Sequence, residues 1–151
     1  MESMSAVDLK TRAFVDDVLV RSPFGKTLGF ELVSLEPDKV RLRLPFKPEN
    51  VTLENIVHGG AVAALIDTAG AIVSASNAPL EMLPGATSTL NISYLAPAGD
   101  NASLTATART VSRTKGRVVS DVVVHEEGRK LVAKALVTLR LFVRRQGAAV
   151  E

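Results

Sequence analysis

Residues Asn55 to Ser76 read NIVHGGAVAALIDTAGAIVSAS. One histidine, a glycine pair and one carboxylate, Asp67, sit in an otherwise apolar, small-residue pattern. The flanking charges are Glu54 before it and Glu81 after it. A lone carboxylate is costly to bury unless it is hydrogen-bonded, paired or neutral. Its presence here marks Asp67 as a functional candidate. The pattern predicts a helix from about 58 to 77. Residues 60–76 are slightly short for a membrane span and carry Asp67 near their middle, so a buried helix of a soluble domain is expected.

Upstream, Val7, Phe14, Val15, Val18 and Leu19 recur at helical spacing, predicting a helix over 6–21 with Ser5 and Asp8 as a capping box and Ser22-Pro23 as its end. Gly25-Lys26-Thr27 resembles the end of a phosphate loop, but Val20 stands where such a loop needs glycine, so a plain turn is expected. Residues 30–36 and 39–46 read as two strands around Pro37-Asp38, the second with Val40, Leu42 and Leu44 alternating with Lys39, Arg41 and Arg43, and a polar loop follows from Lys47 to Asn55. Beyond Pro84-Gly85 the pattern is all-β. Ser88, Leu90, Ile92 and Tyr94 form one face, and strands follow at 102–113, 117–126 and 130–143. Hairpin turns are expected at Thr114-Lys115-Gly116 and Glu127-Gly128, with a frayed tail over 144–151. The order α-β-β-α-β-β-β-β predicts a single α+β domain over 1–151. In it, one apolar helix is wrapped by a curved antiparallel six-stranded sheet.

Composition narrows the chemistry. The 151 residues are 46% hydrophobic and 23% charged, ordinary for a globular domain. A net charge of +2 does not imply nucleic acid as a partner. Cysteine is absent, which removes disulfides, thiolate nucleophiles and Cys-ligated zinc. The two histidines, His58 and His125, lack a spaced partner, so no metal site is expected. The charged N-terminus has no signal-peptide core, and a cytoplasmic location without membrane attachment is expected.

The element order, with His58-Gly59-Gly60 and then Asp67 opening the central helix, resembles the hotdog-fold acyl-CoA thioesterases. The similarity is greatest to the phenylacetate-pathway (PaaI-like) type. Also matching are Asn91-Ile92-Ser93-Tyr94-Leu95-Ala96-Pro97 and Gly128-Arg129-Lys130-Leu131-Val132-Ala133. The resemblance covers about Phe24 to Phe142. It implies hydrolysis of an acyl-CoA or acyl-carrier thioester, with no cofactor beyond the CoA of the substrate. It also implies a homodimer with a continuous sheet and two interfacial sites, often paired again into a tetramer. Asp67 would be the catalytic carboxylate, Gly59 of the partner subunit the donor to the thioester oxygen, and Thr87 a residue near the attacking water. Many relatives carry Asn six residues before the His and Gly three before it. Here Thr52 and Asn55 stand there, the candidates for the role of orienting water or substrate that the Asn has in those relatives, and Asn50 lies two residues further upstream.

The residues support this chemistry independently. A helix N-terminus offers free N–H groups and about half a positive charge, and Gly59 and Gly60 admit a carbonyl without a Cβ in the way. His58 and Asp67, nine residues apart, are separated by about 13 Å of helix rise. One chain therefore cannot bring that N-terminus to its own Asp67, which favours a site shared between subunits. Asp67 as general base and as nucleophile both stay open. Ala63, Ala64, Gly70 and Ala71 leave room beside it. His58 either touches substrate or caps the helix. Arg113 and Lys115, with Arg117, form a cationic hairpin for CoA phosphates or a solvated turn. The central helix and Phe24–Phe30 are candidates to line the acyl slot. A non-catalytic acyl-CoA binding module, and a dehydratase or hydratase on the same fold, are the competing functions.

Overall fold

The computed structural model describes residues 6–99, 101–127 and 130–143. Ser5 of the expected capping box, Gly128 of the second hairpin turn, and the tail with Arg144 and Arg145 lie outside the described residues. Helix α1 (Leu9–Phe14) starts at Asp8, whose carboxylate accepts the N–H groups of Lys10 and Thr11 at 3.0 and 3.1 Å. It runs on through a π-helical turn, Val15–Val20, which buries Val15 and Val20. The segment expected to be a plain turn is instead a short helix, α2 (Pro23–Leu28). Ser22 caps it by accepting the Gly25 N–H at 3.0 Å, and Pro23 sits at its first position, where a missing N–H costs nothing. Gly29, at φ 78°, closes it.

Strands β1 (Glu31–Glu36) and β2 (Lys39–Leu44) pair around a turn in which Asp38 has φ 60°. Val40, Leu42 and Leu44 form the buried face of β2, as the alternation predicts. The central helix α3 spans Gly59–Ser76. Strand β3 (Met82–Tyr94) begins earlier than expected and carries Pro84-Gly85 inside it, where the register with its neighbour shifts. An edge strand tolerates proline at such a bulge. Strands β4 (Leu104–Thr114), β5 (Arg117–Glu126) and β6 (Leu131–Val143) complete a sheet ordered β1-β2-β4-β5-β6-β3, with every pair antiparallel.

Helix α3 touches all six strands. Six strands at about 4.8 Å span roughly 24 Å, so a helix about 10 Å wide meets them all only if the sheet curls round it. The expected α+β arrangement is therefore the observed one. By length and composition α3 would pass as a membrane span, but 61% of it is buried in this fold. Leu65, Ile66, Ala69, Ile72 and Val73 are fully inaccessible. Gly70 allows close approach to β6, because a Cβ there would stand 2.8 Å from Val137 Cγ1. This glycine thus serves helix–sheet packing rather than leaving room beside Asp67. Strand β3 runs back along α3, placing Met82 near the helix C-terminus, Thr87 at its middle and Tyr94 at its N-terminus.

Candidate active site

Asp67 lies on the one partly open stripe of α3, with Ala63, Ala64, Thr68 and Ala71 also half-buried. From β3, the Thr87 hydroxyl donates to Asp67 Oδ1 at 2.5 Å. A register shift between Thr87 and Thr89 interrupts the regular pairing of β3 with β6 beside this contact. Among the described residues, the second carboxylate oxygen has no donor. The two residues that the resemblance joins are therefore in direct contact. A carboxylate with one oxygen held and one free can accept a proton or attack a carbonyl.

At the start of α3, His58 is the N-cap, and its Nδ1 accepts the Gly60 N–H at 2.8 Å. That acceptor role puts the proton of the neutral ring on Nε2. Gly60 makes room for the imidazole, since a Cβ there would fall 2.9 Å from Nδ1. The Gly60 N–H is thus committed to His58. Gly59 is different: among the described residues its N–H has no acceptor. The Tyr94 hydroxyl donates to the Gly59 carbonyl at 3.0 Å, so β3 holds this turn in place. The sequence places Tyr94 in a strand and in the matching Asn91–Pro97 run but gives it no partner, because its contact depends on β3 returning along α3.

The loop before α3 contains the departures from the family pattern. Asn55 has φ 57° and follows Glu54 at φ 60°. The position where relatives carry glycine is left-handed, and asparagine tolerates that region better than most side chains. Asn55 therefore answers a backbone requirement. Thr52 closes the same turn, its N–H reaching Ile56 O at 2.7 Å and its hydroxyl lying 3.2 Å from the Leu53 and Ile56 carbonyls. Asn50, two residues earlier, is only 9% exposed. Its backbone carbonyl accepts the His58 N–H at 2.8 Å, and its Nδ2 is buried without a partner among the described residues. An unsatisfied buried amide is rare. This one sits in the loop bonded to the helix N-cap, which makes Asn50, not Thr52 or Asn55, the polar candidate there.

The cationic hairpin divides. Arg113 is not free for a substrate phosphate. It reaches the carbonyls of Ser74 at 3.0 Å and Val73 at 3.3 Å, and pairs with Asp38 Oδ1 at 2.7 Å. It therefore caps the C-terminus of α3, where a cation complements the helix dipole. Burial raises the Asp38 pKa, but the neighbouring Thr110 hydroxyl, Arg113 and Asn77 outweigh it and hold the carboxyl below its usual range. Among the described residues, the buried Thr110 Oγ1 makes no hydrogen bond of regular geometry. Lys115 is exposed in the β4–β5 turn and Arg117 is exposed at the start of β5. His125 is half-buried on β5. Among the described residues, no group of three acidic or histidine side chains could hold a metal ion.

The comparisons with known proteins bear on the fold and the family. A protein of Saccharolobus solfataricus, provisionally named an esterase, is 30% identical over 124 residues, 82% of this chain and 81% of its own. The PaaI protein of the Escherichia coli phenylacetic acid degradation operon superposes with a TM-score of 0.79 at 22% identity, covering 91% of this chain and 96% of that one. A mutant of the phenylacetic acid degradation protein PaaI from Thermus thermophilus superposes with a TM-score of 0.70 at 28% identity, covering 79% and 98%. The first structure shows the shared fold. The family profile described as the thioesterase superfamily matches residues 54–133, a span that takes in the His58 turn, Asp67, Thr87 and Tyr94. With more than half of its length matched by this profile and its helix-in-sheet fold shared with these structures, the chain belongs to the thioesterase superfamily.

Proposed function

We propose that this protein hydrolyses acyl-CoA thioesters to the free acid and CoA. Family membership supports thioester or ester hydrolysis in general. The observation that carries the finer reading is the Thr87–Asp67 hydrogen bond on the open stripe of α3. Thr87 fixes one carboxylate oxygen and leaves the other facing the reacting centre. Acting as base, that oxygen takes a proton from water as the water oxygen bonds to the thioester carbon. Collapse of the tetrahedral intermediate then breaks the C–S bond and releases the CoA thiolate. Acting as nucleophile, the same oxygen bonds to the thioester carbon, the C–S bond breaks and the CoA thiolate leaves, and water then cleaves the resulting mixed anhydride to the free acid and the Asp67 carboxylate.

The oxyanion needs a donor, and the free Gly59 N–H supplies one at a positive helix end. Gly59 and Asp67 of one chain, eight residues apart, are separated by about 12 Å of helix rise. The reading therefore includes a homodimer in which Gly59 of the partner subunit faces Asp67. Strand β3 supports this, because it ends the sheet with an unpaired edge 13 residues long, a template for a second strand. Pairing of dimers into tetramers, a cytoplasmic setting and no cofactor beyond the substrate's CoA complete the reading.

Purified protein should release free thiol from a panel of acyl-CoA and aryl-CoA thioesters. An Asp67→Asn variant, shown to be folded by circular dichroism, should lose about 100-fold or more of kcat. Full activity in that variant would remove Asp67 from the mechanism. Tight CoA-ester binding without turnover in the wild type would instead make the protein a binding module.

A further inference from the structure

We infer that Tyr94 is a positioning residue for thioester hydrolysis. Its hydroxyl, bonded to the Gly59 carbonyl, holds the Gly59 N–H ready for a thioester attacked with the help of Asp67 of the partner subunit. The inference rests on the thioesterase reading above and on its shared site.

The turn that opens α3 needs such a support. Gly59 and Gly60 let a carbonyl approach, but glycine also loses more conformational freedom on ordering than any other residue. Two glycines in succession leave the direction of an N–H weakly determined by the chain itself. The turn is tied down by hydrogen bonds instead. The His58 N–H donates to the Asn50 carbonyl at 2.8 Å, and the His58 carbonyl accepts the Ala61 and Val62 N–H groups at 2.9 and 3.2 Å. The peptide joining Gly59 to Gly60 is held at both ends. Its N–H donates to His58 Nδ1 at 2.8 Å, and its carbonyl accepts the Tyr94 hydroxyl at 3.0 Å. Among the described residues, the Gly59 N–H is the one backbone polar group of His58 and Gly59 without a partner.

The clamped turn borders open space. Gly59 and Tyr94 share the wall of a cavity of about 250 Å³ with Val57, Val62, Leu95 and Pro97. Tyr94 is 55% exposed, so its ring adds little to the core and the hydroxyl makes its specific contact. Thr87 and Tyr94 lie seven residues apart on β3, roughly 23 Å. Each donates its hydroxyl to α3, one to the carboxylate and one to the turn. Because Gly59 and Asp67 of one chain are about 12 Å apart along the helix, these two bonds prepare different sites. A donor fixed before the reaction costs no reorganisation during it, and removing one outright costs about 100- to 1,000-fold in rate. A donor kept but loosened should cost less, about tenfold.

The test uses the full chain and a panel of acyl-CoA thioesters. Tyr94→Phe keeps the ring and removes the hydroxyl. It should lower kcat about tenfold with KM within about twofold, while circular dichroism and sedimentation match wild type. Mixed dimers supply a readout that a merely structural role would not move. Tyr94→Phe chains and Asp67→Asn chains, unfolded and refolded together, pair at random. A mixed dimer carries both lesions at one site and neither at the other, because the intact Asp67 of one chain meets the intact turn of its partner. The equimolar mixture should therefore reach about a quarter of wild-type activity, against about a twentieth for the two variants refolded apart. No gain on mixing, or an unchanged kcat in Tyr94→Phe, would overturn the inference and leave the thioesterase reading intact. A Tyr94→Phe protein that no longer folds or pairs would assign the hydroxyl to stability instead. A wild type that hydrolyses no thioester would reject the reading, and the inference with it.

Discussion

Replacing Arg113 with Met separates two roles that the same side chain was eligible for. The substitution keeps most of the aliphatic stem and removes the charge and all donors. In the structure those donors satisfy two carbonyls in the last turn of α3 and pair with Asp38, the side chains being 21% and 35% exposed. Breaking a fully buried pair costs about 3–5 kcal/mol. A partly solvated pair recovers some of that through water. Hydrogen bonds to a charged group, at about 1.5–3 kcal/mol, and loss of the helix-end cation, at about 0.3–1 kcal/mol, bracket the remainder. The expected loss is therefore about 2–3 kcal/mol. For a chain of 151 residues, that is a Tm lower by roughly 6–9 °C. Urea and thermal unfolding at fixed protomer concentration measure it, because an oligomer's Tm shifts with concentration. The pH dependence gives a second readout. The folded-state pKa of Asp38 is depressed, so its contribution is fully present above the unfolded pKa and is lost as pH falls through the folded one. Without Arg113 the burial of Asp38 has less opposition, the depression shrinks, and the loss of stability on acidification should be smaller than in wild type, so the gap between the two proteins narrows at low pH. KM for acyl-CoA should stay within about twofold. An unchanged Tm together with a KM raised tenfold would refute the capping role and return Arg113 to the CoA phosphates.

Two further perturbations probe the site and the packing beneath it. Thr87→Val preserves shape but removes the donor to Asp67, and it should lower kcat by about 10- to 100-fold with little change in KM, measured by thiol release. Unchanged kcat would make Thr87 an ordinary strand residue. Gly70→Ala places a Cβ 2.8 Å from Val137 and should destabilise by about 1–3 kcal/mol. Val137→Ala added to it should recover part of that loss in a double-mutant cycle, and simple additivity of the two would contradict the close-approach argument.

Much of this was legible in the sequence because it depends on local pattern. Period-two alternation in 39–46 places β2 to within two residues at its end, the turns expected on either side of 117–126 bracket β5, and the apolar run fixes α3 within one residue at each end. Where two signals competed, the reading erred. Ser22-Pro23 ends one helix and opens another, because serine caps and N-terminal proline are compatible with both. Pro84-Gly85 reads as a break, yet edge position and a bulge let β3 continue through it.

The sequence by itself determined the one carboxylate of the central helix, the glycine turn that opens it, and the separation that keeps the two from meeting within a chain. Those follow from residue order and helix rise alone. Only the tertiary structure decided which groups act on them. It turned Arg113 onto the end of α3. It also brought Thr87 onto Asp67 and Tyr94 onto Gly59. Those contacts join residues 20 to 39 positions apart in the chain. Their physical basis is the curl of the sheet, which lays β3 antiparallel along α3, and no local propensity encodes that.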